Sequence, residues 1–260
     1  HCFSFHSLPL SRYCCRNIRF PQTWVYDYQD KLIQRINTLC REHAIDVVVP
    51  ADLQVMRALT PYKNLISEAH LFPLADLESM RVVDDKWLFA KLCKSLNVPH
   101  PQTKLIENFD DIKKINFSGQ IIVKPCVGNS SRGVYALPSI AELEEHLNSD
   151  RQCNQLPQIV QDFIVGFDMD VTVLAEKGVI MAWTIQERIS VHERRFVVDD
   201  RILKMAAELI SELNYSGIVD FDIRYDTIND TPLMMEGNPR FPGSLMFKLW
   251  AGVNFPFIGC

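Results

Sequence analysis

Leu233-Met234-Met235-Glu236-Gly237-Asn238-Pro239-Arg240 is an apolar run that ends in an acid, an amide and a base. On an extended chain, residues two apart point to the same side, so Glu236 and Asn238 share a face. The apolar run at residues 218–225 carries Asp220 and Asp222 with the same spacing, and the two runs read as a hairpin-like pair. Three or four oxygen ligands then come from neighbouring strands. Such a set suits magnesium, which takes a few hard oxygens and completes its shell with water and phosphate. Arg240 can hold a phosphate in a bidentate fashion. The plainer reading is an acidic strand edge with a turn at Asn-Pro.

Working upstream, Ile121-Ile122-Val123-Lys124-Pro125 reads as a strand ending in a lysine, before the loop Gly128-Asn129-Ser130-Ser131-Arg132-Gly133. The two glycines have the spacing of GxxxxGK[ST], but Val134 stands where the lysine belongs, and no GxGxxG occurs. Small residues let backbone N–H groups and hydroxyls approach a phosphate closely, and Lys124 adds charge to the same anion. Taken alone, this is also what an ordinary polar hairpin loop contains. Gln161-Asp162-Phe163-Ile164-Val165-Gly166-Phe167-Asp168 sets acids around another apolar strand. Backbone groups at Phe163 and Ile164 could read an adenine edge, and Asp168 could accept from ribose hydroxyls. In isolation the stretch is a strand and a turn.

Residues 186–195 are dense in charge, as a solvated loop would be. As a functional loop they would bind a substrate, with Arg188 the best candidate. Arg224 could also hold a substrate carboxylate. Cys126, beside the loop, reads as a small buried residue rather than a nucleophile.

The rest of the chain has an α/β rhythm. A helix is predicted over residues 30–43, followed by a short buried parallel strand over 45–50. Residues 4–10 could be an earlier strand. Residues 61–83, with Pro61 and Pro73, read as an irregular linker. Asp84 or Asp85 can cap a helix running to about Leu96. Ser139 with Glu142 forms a capping box. Residues 159–164, 170–174 and 179–185 read as successive antiparallel strands, with Lys177-Gly178 turning the last two. Asp199 or Asp200 caps a helix through Leu213.

Composition sets the class. The 260 residues are 47% hydrophobic and 23% charged, which fits a globular chain and excludes disorder, collagen and coiled coil. No 18-residue apolar run offers a membrane span. With 27 Lys plus Arg against 32 Asp plus Glu, a net charge of −5 disfavours nucleic acid or an anionic membrane as partner. The eight cysteines form no CxxC pair and read as free thiols in a reducing cytoplasm.

The order of these pieces within about 120 residues resembles the ATP-grasp superfamily, particularly the branch similar to the carbamoyl phosphate synthetase large subunit. The resemblance implies a mixed α/β and α+β architecture: a truncated Rossmann-like pre-ATP-grasp domain at 1–83, a small subdomain at 84–158 and a large subdomain at 159–260. It implies ATP between the two subdomains, with Mg2+ or Mn2+. Lys86 and Lys124 would touch phosphate, and Asn129, Ser130, Ser131 and Gly133 would close over it. Gln161, Phe163 and Ile164 would form the adenine hinge, with Asp168 on the ribose. Glu236, Asn238 and Asp222 would face the metal. Asp222 is preferred to Asp220 because its 14-residue separation from Glu236 suits the family hairpin. Two departures stand out: aspartates at 162 and 168 where glutamates are usual, and Gly237 where an apolar residue is common.

The implied activity is an ATP-dependent ligase joining a small carboxylate to an amine or a thiol through an acyl phosphate, with Arg240, Lys124 and Arg188 as catalytic residues. The alternatives are phosphorylation of bicarbonate, a non-catalytic ATP-binding regulatory module, and a plain Rossmann-like binding protein. Many members of the superfamily are dimers, so a homodimer is compatible with the resemblance.

Overall fold

The computed structural model describes residues 12–128, 131–148 and 155–260. The predicted strand at 4–10 and two of the loop residues, Asn129 and Ser130, lie outside them. The N-terminal part runs α1 (Thr23–Tyr26), α2 (Gln29–His43), β1 (Val47–Val48), α3 (Leu53–Leu59), β2 (His70–Leu71), α4 (Leu77–Asp84) and α5 (Lys86–Ser95). Helix α2 buries Leu32, Ile33, Leu39 and Cys40 along one stripe and ends where Ala44 turns left-handed at φ 49°. β1 pairs with β2 in parallel, as expected, but it has only two half-buried residues, and Ile45 and Val49 are exposed.

Residues 61–83 are not a linker. They hold a 3-10 turn at Thr60–Leu65, then β2, then α4, whose first turn is capped by Asp76. Phe72, Met80 and Val83 from this segment are among the most deeply buried residues. α5 is capped by the Asp85 carboxylate, which accepts from Trp87 N–H at 2.9 Å and Leu88 N–H at 3.1 Å.

A four-stranded sheet follows. It contains β3 (Thr103–Ile106), β4 (Ile121–Pro125), β5 (Tyr135–Leu137) and β6 (Gln158–Asp162) in the order β3-β6-β4-β5, all antiparallel. The helices α6 (Phe109–Ile112) and α7 (Leu143–Asn148) belong to it. The expected capping box at Ser139 does not form. Its side chain caps nothing, and a 3-10 turn at Ile140–Glu142 leads into α7. A small core of Ile106, Phe117, Ile121, Val123, Leu143, Leu147 and Val160 holds this unit together.

The second sheet is β11-β10-β7-β8-β9, built from β7 (Gly166–Glu176), β8 (Val179–Arg188), β9 (Arg194–Val197), β10 (Gly217–Asp226) and β11 (Thr231–Asn238). β7 and β8 form the expected hairpin, turning at Lys177 and Gly178, both with positive φ. β6 does not continue this antiparallel set but belongs to the four-stranded sheet. Sheet membership therefore carries the first unit through Asp162, past the expected boundary at 158.

α8 (Asp200–Glu212), capped by Asp199, packs on β7 and β8 through Ile202, Met205, Ala206, Leu209 and Ile210. α4 and α5 pack on β11, with the Phe89 and Phe221 rings stacked 5.8 Å apart. One continuous core joins α2, α3, α4 and α5 to the five-stranded sheet, so among the described residues the N-terminal segment has no separate core of its own. The chain closes with α9 (Leu245–Trp250) and α10 (Phe255–Ile258).

Candidate functional site

Alternation along the five-stranded sheet sends Val171, Val173, Val219, Phe221 and Ile223 into the core. The opposite face is polar and forms two adjacent rungs across four strands. Gln186, Asp170, Asp222 and Glu236 are register partners in turn, and so are Thr184, Thr172, Asp220 and Asn238. Asp222 thus lies directly opposite Glu236, and Asp220 opposite Asn238.

This face meets the four-stranded sheet at Glu236. Its Oε2 lies 3.3 Å from Lys124 Nζ at the end of β4 and 3.5 Å from Lys86 Nζ at the start of α5. Both ammonium groups are nearly sealed from solvent, and Lys86 also donates to the Gly128 carbonyl at 3.0 Å. Burial holds the Lys124 pKa below its ordinary value; Glu236 pulls it upward and Lys86 pushes it down again. Burial would raise the Glu236 pKa, but Lys124 and Lys86 outweigh it and hold the carboxyl below its usual range.

Two cavities meet at this contact. The first, about 330 Å³, is walled by Ile122, Val134, Phe163, Ile164 and Met235, with Lys86, Lys124 and Glu236 among its lining residues. The second, about 440 Å³, is polar. Arg188, Arg194 and Arg240 line it together with Asp170, Asp220, Asp222, Asn238 and Ser244, beside Val191 and Phe247. Ser131, Asp168 and Glu236 line both.

Most of the residues singled out in the sequence lie at these cavities. Ser131, at φ 54°, and Gly133, at φ 74°, shape the loop after β4, and Gly133 is buried rather than lining. Asp168 Oδ1 accepts from Arg224 Nη1 at 2.6 Å, and Arg224 Nε donates to the Ile164 carbonyl at 3.1 Å. Arg224 is therefore held by the Ile164 carbonyl and the Asp168 carboxylate. Phe163 N–H donates to the Gln120 carbonyl at 3.1 Å.

Gln161 does not reach the cavity. Its side chain is buried in the sheet and donates to Thr103 Oγ1 at 2.9 Å. Asn238 Nδ2 donates to Asp222 Oδ2 at 3.0 Å, while its Oδ1 accepts from Arg240 Nη2 at 3.3 Å. Burial pushes the Cys126 thiol up to about 11, which keeps it protonated and unreactive.

The sequence reading missed a buried group beneath the polar cavity: Asp170, Gln186, Ser244 and Lys248. Lys248 Nζ donates to Asp170 Oδ1 at 2.9 Å. The alternation Asp168-Met169-Asp170-Val171-Thr172 was a signal for Asp170. Gly237 has a reason the sequence did not show: a Cβ there would sit 2.4 Å from Val83 Cγ1 of α4.

The family described as "ATP-grasp in the biosynthetic pathway with Ter operon" matches residues 154–260. Among solved structures, the biotin carboxylase domain of a 2-oxoglutarate carboxylase from Hydrogenobacter thermophilus superposes with a TM-score of 0.64 at 14% identity, over 90% of this chain and 56% of that one. The chain has the ATP-grasp fold. D-alanyl-alanine synthetase A from Vibrio cholerae superposes on this chain with a TM-score of 0.62 at 15% identity, over 82% of this chain and 74% of that one. In sequence this chain is 22% identical over 182 residues to the carbamoyl phosphate synthase large chain of Clostridium acetobutylicum. That match covers 63% of this chain but 17% of the relative, so the chain spans a small part of that protein's length. The Hydrogenobacter structure holds MgADP, ADP and bicarbonate.

The polar face of this ATP-grasp fold suits a divalent cation. Asp222 is pushed well above the ordinary carboxylate range by burial, then by Asp220, Glu236 and Asp170, against the Asn238 amide. A cation is what such a cluster of like charges lacks. Among the described residues no three His, Cys, Asp or Glu side chains form a ready cage. Magnesium binds one or two carboxylates and takes its remaining ligands from water and phosphate, and Asp222, Glu236 and Asn238 offer oxygens of that kind.

Proposed function

We propose that the chain binds Mg-ATP between its two sheets and activates a small carboxylate as an acyl phosphate for attack by an amine or a thiol. The observation that carries this reading is the meeting of Lys86, Lys124 and Glu236 where an apolar cavity opens into an arginine-lined one. The apolar cavity suits a base. Among the described residues the Ile164 N–H and the Phe163 carbonyl have no partner, and this donor–acceptor pair complements the adenine edge. Asp168, held by Arg224, faces the ribose.

Lys86 and Lys124 carry the phosphates, with Ser131 of the loop after β4 beside them. Asp222, Glu236 and Asn238 would hold the metal, which supplies positive charge to the phosphates when bound. Arg240 and Arg188 face the polar cavity, where the carboxylate would lie. A carboxylate oxygen attacks the γ-phosphorus, and the bond to ADP breaks. The amine nitrogen then attacks the acyl carbon and loses a proton, and inorganic phosphate leaves with the carbon–oxygen electron pair. Phosphoryl transfer of this kind needs positioning and positive charge, not a side-chain nucleophile.

The similarity to carbamoyl phosphate synthase supports a second substrate reading, bicarbonate. Val191 and Phe247 in the polar cavity favour an organic carboxylate instead. Hydroxylamine trapping tests both. Hydroxamate formed with ADP from one carboxylate in a panel supports the first reading. ADP release stimulated by bicarbonate alone supports the second. ATP turnover that responds to no member of the panel contradicts both.

A further inference from the structure

Helix α9 buries one side chain, and it is a lysine. Lys248 has no exposed surface, while Met246, Leu249 and Trp250 of the same helix are exposed. For stability this is the wrong way round, because an apolar side chain of similar volume commonly does as well as a buried ion pair or better. The lysine is tied on two sides, to Asp170 Oδ1 at 2.9 Å and to Ser244 Oγ at 3.1 Å. Gln186 Nε2 donates to the other Asp170 oxygen at 2.6 Å and to the same serine hydroxyl at 3.3 Å. Ser244 occupies the N-cap of α9, where a serine ordinarily caps the helix. Here its side chain makes no cap bond.

These bonds act on one end of a row of carboxylates. Asp170, Asp222 and Glu236 stand in register on three adjacent strands, with Asp220 one rung away. Lys86 and Lys124 neutralise the Glu236 end and Lys248 neutralises the Asp170 end. Asp222, between them, has an amide for its partner.

The geometry points to Lys248 as a built-in cation: a positioning residue that neutralises Asp170 and so confines a divalent ion to Asp222, Glu236 and Asn238. This rests on the proposed metal side of the site. Both Asp170 oxygens accept from β8 and α9, one of them from an ammonium that supplies the positive charge a metal would otherwise bring. Without the lysine, Asp170 would face the cavity as a further buried carboxylate beside Asp220 and Asp222. A second divalent ion is what that arrangement would recruit.

The test is a Mn2+ titration of the whole chain, with and without ADP, reading the free ion by electron paramagnetic resonance. The variants are Lys248→Met, Asp170→Asn and the two combined. Lys248→Met is expected to bind one more Mn2+ per chain than the wild type in the absence of nucleotide. Asp170→Asn leaves the lysine unneutralised and is expected to bind Mn2+ about tenfold more weakly. The double variant is expected to return to wild-type binding, and it carries the test if either single variant fails to fold. Wild-type number and affinity in folded Lys248→Met, or weakened binding in the double variant, would overturn the inference while leaving the metal reading in place. A wild type that binds no Mn2+ even with ADP would overturn the metal reading, and this inference with it.

Discussion

The Lys124 ammonium and the Glu236 carboxylate meet at 3.3 Å, although they belong to two sheets that share no strand. Each neutralises the charge that the other's ligand must meet. The lysines repel a metal, and the carboxylate repels a phosphate. Metal and nucleotide should therefore favour each other's binding, because together they replace the contact that either one alone would have to break.

Gly237 permits the close packing of β11 against α4. An added methyl group would meet Val83 Cγ1 at 2.4 Å, the Val83 carbonyl oxygen at 3.2 Å and Phe221 Cδ1 at 3.3 Å. Gly237→Ala is expected to destabilise the fold by about 1–3 kcal/mol, the usual cost of overpacking. Urea unfolding measures this, and an unchanged midpoint would contradict the packing described.

Acidity should act on stability through Asp220. Burial and then Asp170 push its pKa up to about 7, against Lys248 and the Thr172 hydroxyl; in the unfolded chain it ionises near 3.8. Between those values the folded protein holds a proton that the unfolded chain has released. Stability from this group therefore falls as pH rises from about 4 to about 7. Glu236, held low, has the opposite sign, with stability present above its unfolded value of 4.5 and lost as pH falls through its folded value. In metal-free buffer, denaturation midpoints of Asp220→Asn should fall less steeply than the wild type's over pH 4 to 7. Parallel profiles would contradict this assignment.

Arg224 bridges the Ile164 carbonyl and Asp168. Arg224→Ala frees both and is expected to weaken ATP about tenfold, or about 1.4 kcal/mol, while leaving the gain from Mg2+ intact. Calorimetry separates the two effects. A loss confined to the Mg2+-dependent part would place Arg224 with the phosphates instead.

Much of the site was legible because strands write their faces into the sequence. Asp220 with Asp222, and Glu236 with Asn238, alternate with core residues, and a lysine at the end of an apolar run is conspicuous. The resemblance put Gln161 at the adenine hinge, but its side chain faces the sheet interior, where Thr103 holds it. The elements within 61–83 were hidden by Pro61 and Pro73, which punctuate short helices as readily as linkers. Lys248 was not legible at all. A lysine within Leu-Met-Phe-Lys-Leu-Trp reads as exposed, and its burial depends on Asp170, which is distant in sequence and near only in the fold.

The most direct test of Mg-ATP binding between the sheets is calorimetric titration of ATP, with and without Mg2+, into the wild type and Glu236→Gln. The wild type should bind metal-free ATP weakly and gain about tenfold or more with Mg2+. In Glu236→Gln the metal-free affinity should rise, because a negative charge has left the phosphate site, and the Mg2+ gain should vanish. A folded wild type that binds no ATP at millimolar nucleotide, or a variant that keeps the full Mg2+ gain, would contradict the account.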